Sequence, residues 1–133
     1  MPNKFFEELD TPWQGAVIFL DIDGTLRPDG EKDMSPQVLI KLEGLKAQNA
    51  VRLISNKGSK IKKPSRVVAD GVDIDGKKVI VIGDKFLTDY LFAKNIGAEF
   101  IKVRRKLSGH ESFFVKFTYW IDDLLNTCLG RII

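Results

Sequence analysis

The stretch from Ala16 to Leu26 constrains the fold more than any other part of the chain. It opens with apolar residues at 16–20, rich in branched and aromatic side chains, which predict a strand buried on both faces of a parallel sheet. Asp21 and Asp23 follow, with one residue between them. Alternate strand residues point the same way, so both carboxylates are expected at one site, at the edge where open α/β sheets bind ligands.

The residues after the two carboxylates favour phosphate chemistry. Gly24 lets the chain turn sharply, and the backbone N–H groups of Gly24 and Thr25 are expected to face an anion. In such a site one carboxylate attacks phosphorus, while the other protonates the leaving oxygen and later activates water. Mg²⁺ would offset the repulsion between carboxylates and phosphate. The simpler alternative is a buried strand that ends in an acidic turn.

Length and composition limit the remaining choices. The 133 residues predict a single domain, 1–133, with 44% hydrophobic and 29% charged residues, as in ordinary globular chains. A net charge of +3 suits an anionic substrate but is too small to predict a nucleic-acid partner. The lone Cys128 excludes an internal disulfide and a cysteine-based zinc site. Without a signal-peptide core or a bilayer-length apolar run, a cytoplasmic protein with no transmembrane segment is expected.

A βαβ unit follows the first strand. Ser35 and Pro36 predict a helix start, as N-cap and first helical residue, and the strand 51–54 comes after that helix. A right-handed crossover makes the two strands parallel, so Ser55 is expected at the same sheet edge as Asp21. A serine at a strand end is otherwise a common turn residue.

The second half of the chain repeats this arrangement. A third strand over 78–82 ends in Gly83 and Asp84, which again puts a carboxylate at the carboxyl edge of the sheet. A helix over 88–95 and a fourth strand over 99–103 come next. Asp89 has a simple alternative role as an acid that complements the dipole of that helix.

These motifs together resemble those of the haloacid dehalogenase-like (HAD) phosphohydrolase superfamily. Residues 21–26 match its first motif, D-x-D-G-T-L, and residues 83–89 its fourth, G-D-x-x-x-[ST]-D. The resemblance implies that Asp21 is the nucleophile, that Asp23 is the general acid/base and that Ser55 binds the transferring phosphoryl group. The implied Mg²⁺ ligands are Asp21, Asp23, Asp84 and Asp89, and the implied phosphate-binding residues are Gly24, Thr25 and Asn56.

The third motif of the superfamily, a lysine often followed by proline, points to Lys63, with Lys57, Lys60 and Lys62 as alternatives. Only 63 − 55 = 8 positions separate Lys63 from Ser55, too few for the helix and strand that usually intervene. Either an edge strand has been lost, or the lysine is another one, or activity has degraded. A lost strand would leave the edge at 51–54 open, and a homodimer through that edge is a corollary.

The resemblance implies a Rossmann-like α/β core with about four parallel strands in the order 99–103, 78–82, 16–21, 51–54. Helices are expected on both faces, with no large cap and an open site. The implied activity is Mg²⁺-dependent hydrolysis of a phosphomonoester through an aspartyl-phosphate. The substrate would be a phosphorylated small molecule or a lipid headgroup, since a narrower resemblance is to the capless subfamily that contains phosphatidylglycerophosphate phosphatases. The alternative is a weak or inactive domain that binds a phosphorylated ligand or partner.

The C-terminal part predicts one more helix, from a capping box at Ser108–Glu111 to about residue 129. Its apolar residues are expected mainly to pack on the sheet, because a domain this small needs them for its core. The alternative is an aromatic face presented to a membrane surface. The three cations at 104–106 are either solvated or positioned to hold an anionic headgroup.

Overall fold

The computed structural model of the chain describes residues 4–55, 74 and 76–129. Its sheet has four parallel strands in the order β2-β1-β3-β4, which confirms the predicted order. The strands are β1 (Val17–Asp21), β2 (Ala50–Ile54), β3 (Val79–Gly83) and β4 (Glu99–Lys102).

In the described ranges, three α-helices accompany the sheet: α1 (Pro36–Gln48), α2 (Leu91–Ile96) and α3 (Phe113–Leu129). The Ser35 hydroxyl caps α1 by accepting from the N–H of Val38 at 3.3 Å, as its position before Pro36 predicts. Gly97 ends α2 in the left-handed conformation, with φ of 72°. A π-helical segment, Phe86–Tyr90, occupies the first part of the predicted helix 88–95, and a short 3₁₀ turn, Phe6–Glu8, precedes β1.

The core lies on both faces of the sheet. Ile18 and Leu20 of β1 pack on one face with the buried side of α1, whereas Val17 and Phe19 pack on the other with α2. Every residue of β1 and of β3 is buried, because each of these strands has a strand on either side and a helix over each face. The expected α/β architecture, with helices on both faces, is confirmed.

The strand register brings the functional segments to one edge. Leu20 pairs with both Leu53 and Ile82, so β1, β2 and β3 end at the same level. Gly83 pairs with Lys102, which places the end of β4 at that level too. The segments that follow the four strands therefore emerge side by side at the carboxyl edge.

The start of α3 differs from the prediction. The helix begins at Phe113, and its cap is the Ser112 hydroxyl, which accepts from the N–H of Val115 at 3.2 Å. Ser108 and Glu111 instead close a separate turn, because the Glu111 carboxylate accepts from the N–H and the hydroxyl of Ser108 at 2.8 and 2.7 Å. The capping box therefore lies before the helix rather than at its first turn.

The prediction that the apolar residues of α3 mainly pack on the sheet is wrong. Both faces of the sheet are already covered by α1 and α2. The helix α3 lies beside the π-helical segment and has Tyr119 and Asp122 on its buried side. Large side chains on its other side are exposed, namely Phe113, Phe114, Phe117, Trp120 and Leu124.

Some expectations fall on residues 56–73, which lie outside the described part of the chain. They include the roles of Lys63 and Asn56, the alternative lysines, and the absence of a strand outboard of β2. Among the described helices, none combines the length and the apolar character needed to cross a bilayer.

Candidate active site at the carboxyl edge of the sheet

Three buried carboxylates meet at the carboxyl edge. Asp21 ends β1, Asp84 follows β3, and Asp89 lies in the π-helical segment. One oxygen from each carboxylate lies within 4.8 Å of the others. Asp84 and Asp89 are fully buried and Asp21 is 8% exposed. The expectation of an open site concerns the absence of a cap and stays a prediction. The three residues are called the Asp triad below.

Thr25 links two members of the triad. Its fully buried hydroxyl lies 3.0 Å from Asp21 Oδ2 and 3.2 Å from Asp84 Oδ1. A hydroxyl carries one proton, so it donates to one carboxylate at a time or shares the proton between them. Thr25 thus fixes the separation of the carboxylates that follow β1 and β3.

Two glycines allow the triad to be this compact. A Cβ on Gly24 would lie 2.6 Å from Asp84 Oδ2, and a Cβ on Gly83 would lie 2.2 Å from Asp89 Oδ2. Gly24 also has φ of 85°, which strains any L-residue. Both positions therefore require glycine for a packing reason, and Gly24 for a conformational reason as well.

The turn after Asp23 uses its own backbone donors. The N–H of Gly24 donates to the carbonyl of Arg27 at 2.7 Å, and the N–H of Thr25 donates to the carbonyl of Ile22 at 3.3 Å. These hydrogen bonds close the turn and hold Thr25 against the triad. The expected binding of phosphate by Gly24 and Thr25 stays a prediction.

Asp23 and Ser55 meet beside the triad rather than within it. The hydroxyl of Ser55, just after β2, donates to Asp23 Oδ2 at 2.7 Å, and both residues are half-buried. Asp23 is therefore more accessible than the triad, and its side chain is oriented by a second strand end. The structure thus brings together these two predicted catalytic residues, although Asp23 is not one of the three grouped carboxylates.

Arg105 is one of the three cations at 104–106 that were expected near the site, but its contact with Asp84 was not predicted. Its Nε donates to Asp84 Oδ2 at 2.7 Å, and its guanidinium also pairs with Asp122 and Asp123 of α3, at 3.6 and 3.0 Å. Burial alone lowers the pKa of Arg105, but attraction to Asp84 and Asp123 outweighs it, and the pKa is raised above its ordinary value. Arg105 thus forms ion pairs both with the Asp triad and with α3.

The other two cations at 104–106 behave differently. Lys106 pairs with the carboxylate of Glu7, while Arg104 is exposed and lies over the ring of Phe5. The three consecutive cations at 104–106 therefore lie in three different environments.

Tyr119 of α3 covers the Arg105 side of the site. The Arg105 guanidinium lies 4.0 Å from the centroid of the Tyr119 ring, in cation–π geometry. Burial, followed by the negative charges of Asp84 and Asp29, raises the pKa of Tyr119 well above its ordinary value. Tyr119 is thus held as a neutral phenol against a negatively charged site.

The donor set of the triad fits a hard divalent cation. Mg²⁺ prefers carboxylate and water oxygens, and three carboxylate oxygens within 4.8 Å of one another can share one ion. Gathering three acids in a buried site is also costly unless positive charge is near, and Arg105 supplies one such charge at Asp84. The geometry is therefore that of a candidate metal centre.

Comparison with known proteins gave one family match. The model of a family described as HAD-hydrolase-like matches residues 60–126, half of the chain. The matched segment contains Asp84, Asp89 and Arg105, whereas Asp21 and Asp23 lie before it. No curated protein and no solved structure matched the chain.

Proposed function

The chain belongs to the HAD-like hydrolase superfamily, and from that we propose that it is a Mg²⁺-dependent phosphatase that hydrolyses a phosphomonoester through an aspartyl-phosphate at Asp21. The observation that carries the proposal is the Asp triad, with one oxygen of each carboxylate within 4.8 Å of the others. Asp21 belongs to the first motif and lies outside the residues that the family model matches, whereas Asp84 and Asp89 lie within them. The Asp triad therefore combines a residue predicted from the motif with two residues of the matched segment.

The proposed reaction has two steps. A carboxylate oxygen of Asp21 attacks phosphorus, the bond from phosphorus to the leaving oxygen breaks, and Asp23 donates its proton to that oxygen. Asp23 then takes a proton from water, the water oxygen attacks phosphorus, and inorganic phosphate and the free Asp21 carboxylate are released. The hydrogen bond from Ser55 to Asp23 supports this role, because it orients a half-buried carboxylate beside the nucleophile.

Asp21, Asp84 and Asp89 would hold the magnesium ion, which would supply positive charge to the phosphoryl oxygens when bound. Thr25 keeps Asp21 and Asp84 at a fixed separation, and Gly83 leaves room for Asp89. On the strength of the motif resemblance, the proposal keeps Asp23 as a further ligand, Ser55 and Lys63 as catalytic groups that act on the phosphoryl group, and Gly24, Thr25 and Asn56 as phosphate-binding groups.

A cleft lies beside Arg105, and none of the triad carboxylates is part of its lining. It measures about 300 Å³, and Lys102, Arg104 and Arg105 line it together with Asp123 and Asn126 of α3. A volume of this size suits a small molecule or a headgroup rather than a polymer. We include a phosphorylated metabolite or lipid headgroup, a single-domain chain and a cytoplasmic location in the proposal.

The direct test is hydrolysis of p-nitrophenyl phosphate with Mg²⁺ and with EDTA. Asp21→Asn should abolish turnover, because an amide is not a nucleophile toward phosphorus, and Asp23→Asn should slow it by roughly 10²–10⁴. Asp33→Asn, which changes an exposed aspartate in the loop before α1, is the matched control and should retain full activity. Activity that survives in Asp21→Asn or in EDTA would refute the mechanism.

A second candidate is a weakly active or inactive domain that binds a phosphorylated ligand or partner. The ion pair between Arg105 and Asp84 favours it, because one carboxylate of the triad is already charge-balanced by the protein. Calorimetric titration with inorganic phosphate discriminates the two. Phosphate binding that needs no Mg²⁺, together with no turnover of any phosphomonoester in a metabolite panel, would support this candidate over the phosphatase.

A further inference from the structure

The helix α3 has two faces of opposite character. One face is turned into the molecule, where Tyr119 is 6% exposed and Asp122 is 3% exposed. The opposite face carries a row of large apolar side chains with exposed fractions of 85%, 47%, 61% and 49%. This row, called the α3 stripe below, consists of Phe113, Phe117, Trp120 and Leu124.

The spacing of the α3 stripe is that of a helix-pairing seam. Its members follow one another at intervals of four, three and four residues, which is the 3.5-residue repeat of the inner positions of a coiled coil. A helix that merely covers a protein core carries a wider apolar face. The spacing of the α3 stripe therefore suits contact with one other helix along its length, with the exposed Phe114 beside it on one flank.

We propose that the partner is a second copy of this chain, with the two α3 helices antiparallel about a two-fold axis near Thr118 and Tyr119. In that arrangement Phe113 lies against Leu124 of the partner subunit, and Phe117 lies against Trp120 of the partner subunit. The two-fold axis generates each contact twice, so every residue of the α3 stripe is covered by a residue of the partner subunit's α3 stripe. A two-fold interface requires such self-complementarity.

The residues that flank the stripe favour the antiparallel direction. Lys116 and Asp123 lie seven residues apart along one flank. Lys116 is exposed, and the Asp123 side chain stays 58% exposed beside its ion pair with Arg105. In an antiparallel pair this flank meets its own copy, so Lys116 approaches the partner's Asp123, and the axis repeats this attraction. In a parallel pair this flank would instead face the opposite flank of the partner helix. That opposite flank carries Phe114 and Ile121, which have no charge.

The area of the exposed face is sufficient for a stable pair. With about 200 Å² of surface for each large side chain, the stripe and Phe114 present about 600 Å² per protomer. A dimer would cover about 1,200 Å² in total, which reaches the size of specific interfaces. Nonspecific crystal-packing contacts usually bury less area and are poorly packed.

Charge argues against a lipid bilayer as the occupant. Interfacial helices that bind anionic lipid carry several Lys or Arg residues beside their apolar face. The sequence of α3 contains one lysine, Lys116, against two aspartates, Asp122 and Asp123. Of the nearby cations, Arg105 and Lys106 are engaged with carboxylates of the same molecule.

Sedimentation velocity of the full chain, from low to high micromolar concentration, tests the proposal. We expect a species of twice the 15.0 kDa monomer mass. Trp120→Glu should weaken association by about a hundredfold, because it places a charge at the centre of an apolar interface. Ile40→Glu is the matched control, since Ile40 is 74% exposed on α1, and it should leave the dimer intact.

The flanking charges give a test that a general loss of structure would not mimic. Lys116→Glu should weaken the dimer about three- to tenfold, because it sets two acids against each other on both sides of the axis. Adding Asp123→Lys to that variant should restore it. In a Trp13→Phe background, Trp120 emission should shift to longer wavelength on dilution.

Three results would overturn the proposal. They are a monomer at every concentration, a dimer that Trp120→Glu leaves unchanged, and a charge-swapped double variant no tighter than Lys116→Glu alone. A monomer that sediments with vesicles of phosphatidylcholine and phosphatidylglycerol would assign the stripe to a lipid surface instead.

Discussion

Gly83→Ala is the sharpest perturbation of the metal centre, because it adds a single methyl group at the back of the Asp triad. The new Cβ would lie 2.2 Å from Asp89 Oδ2 and 2.4 Å from its Cγ. Ordinary contact needs about 3.5 Å, so the Asp89 carboxylate must move by about 1 Å or more. That movement also breaks the hydrogen bond that Asp89 Oδ2 accepts from the N–H of Lys85 at 3.1 Å.

The displaced carboxylate should lower both metal affinity and stability. Displacement of one of three candidate ligands should weaken Mg²⁺ binding by about 10- to 100-fold, the effect usual for loss of a group that positions a ligand. Overpacking at a fully buried site costs about 1–3 kcal/mol, or several degrees in Tm. The activity of Gly83→Ala should then recover at high Mg²⁺ concentration rather than be lost at all concentrations.

The assay is thermal unfolding with Mg²⁺ and with EDTA, supported by calorimetric titration of the metal. A ligand that binds only the native state raises Tm, and the rise grows with the logarithm of its affinity, so the Mg²⁺-dependent rise should shrink in Gly83→Ala. Gly44→Ala, in α1 with no atom within 4 Å of the new Cβ, is the control and should gain about 0.5–1 kcal/mol with an unchanged metal response. A Gly83→Ala variant that binds Mg²⁺ as tightly as the wild type would refute Asp89 as a ligand.

Two further predictions concern the charges near α3. Arg105→Gln should destabilise the fold by about 3 kcal/mol in a denaturant titration, because it leaves Asp84 buried without its ion-pair partner. The control is Arg104→Gln, which changes the exposed neighbouring arginine and should alter stability little. Hydrogen bonds from the side chain and the N–H of Ser108 lower the pKa of Glu111 from 4.5 to about 2, so the stability from this turn is complete above pH 4.5 and lost as the pH falls through 2. Ser108→Ala should return that pKa toward 4.5 in a carboxyl NMR titration, and an unchanged pKa would contradict the assignment.

The sheet was predictable because its strands are short apolar runs that end in polar groups. Because the strands Val17–Asp21 and Val79–Gly83 are buried at every residue, their sequences are short, nearly continuous apolar runs. Such runs lack the three- and four-residue spacing of apolar residues that indicates an amphipathic helix. The capping serine before Pro36 fixes α1, and a βαβ crossover then leaves one arrangement for β2. The common carboxyl edge follows from these local signals, whereas the strand order was implied by the family resemblance.

The environment of α3 was not predictable in the same way. Periodicity shows that a helix has an apolar face, but it does not show which surface covers that face. Here α1 and α2 already cover the sheet, so the stripe that contains Trp120 remains exposed. The contact of Arg105 with Asp84 spans 21 residues and depends on the register of β3 and β4, which no local motif encodes.

The same contact bears on how the Asp triad tolerates its own charge. Asp84 Oδ2 is held by Arg105 at 2.7 Å, while its Oδ1 lies 3.2 Å from the Thr25 hydroxyl. A cation bound by the triad would therefore share Asp84 with Arg105, and the two positive charges would compete for it. Since Arg105 is also paired with Asp122 and Asp123 of α3, its position depends on where that helix packs. An α3 held by a second subunit would thereby fix the cation that balances the candidate metal centre.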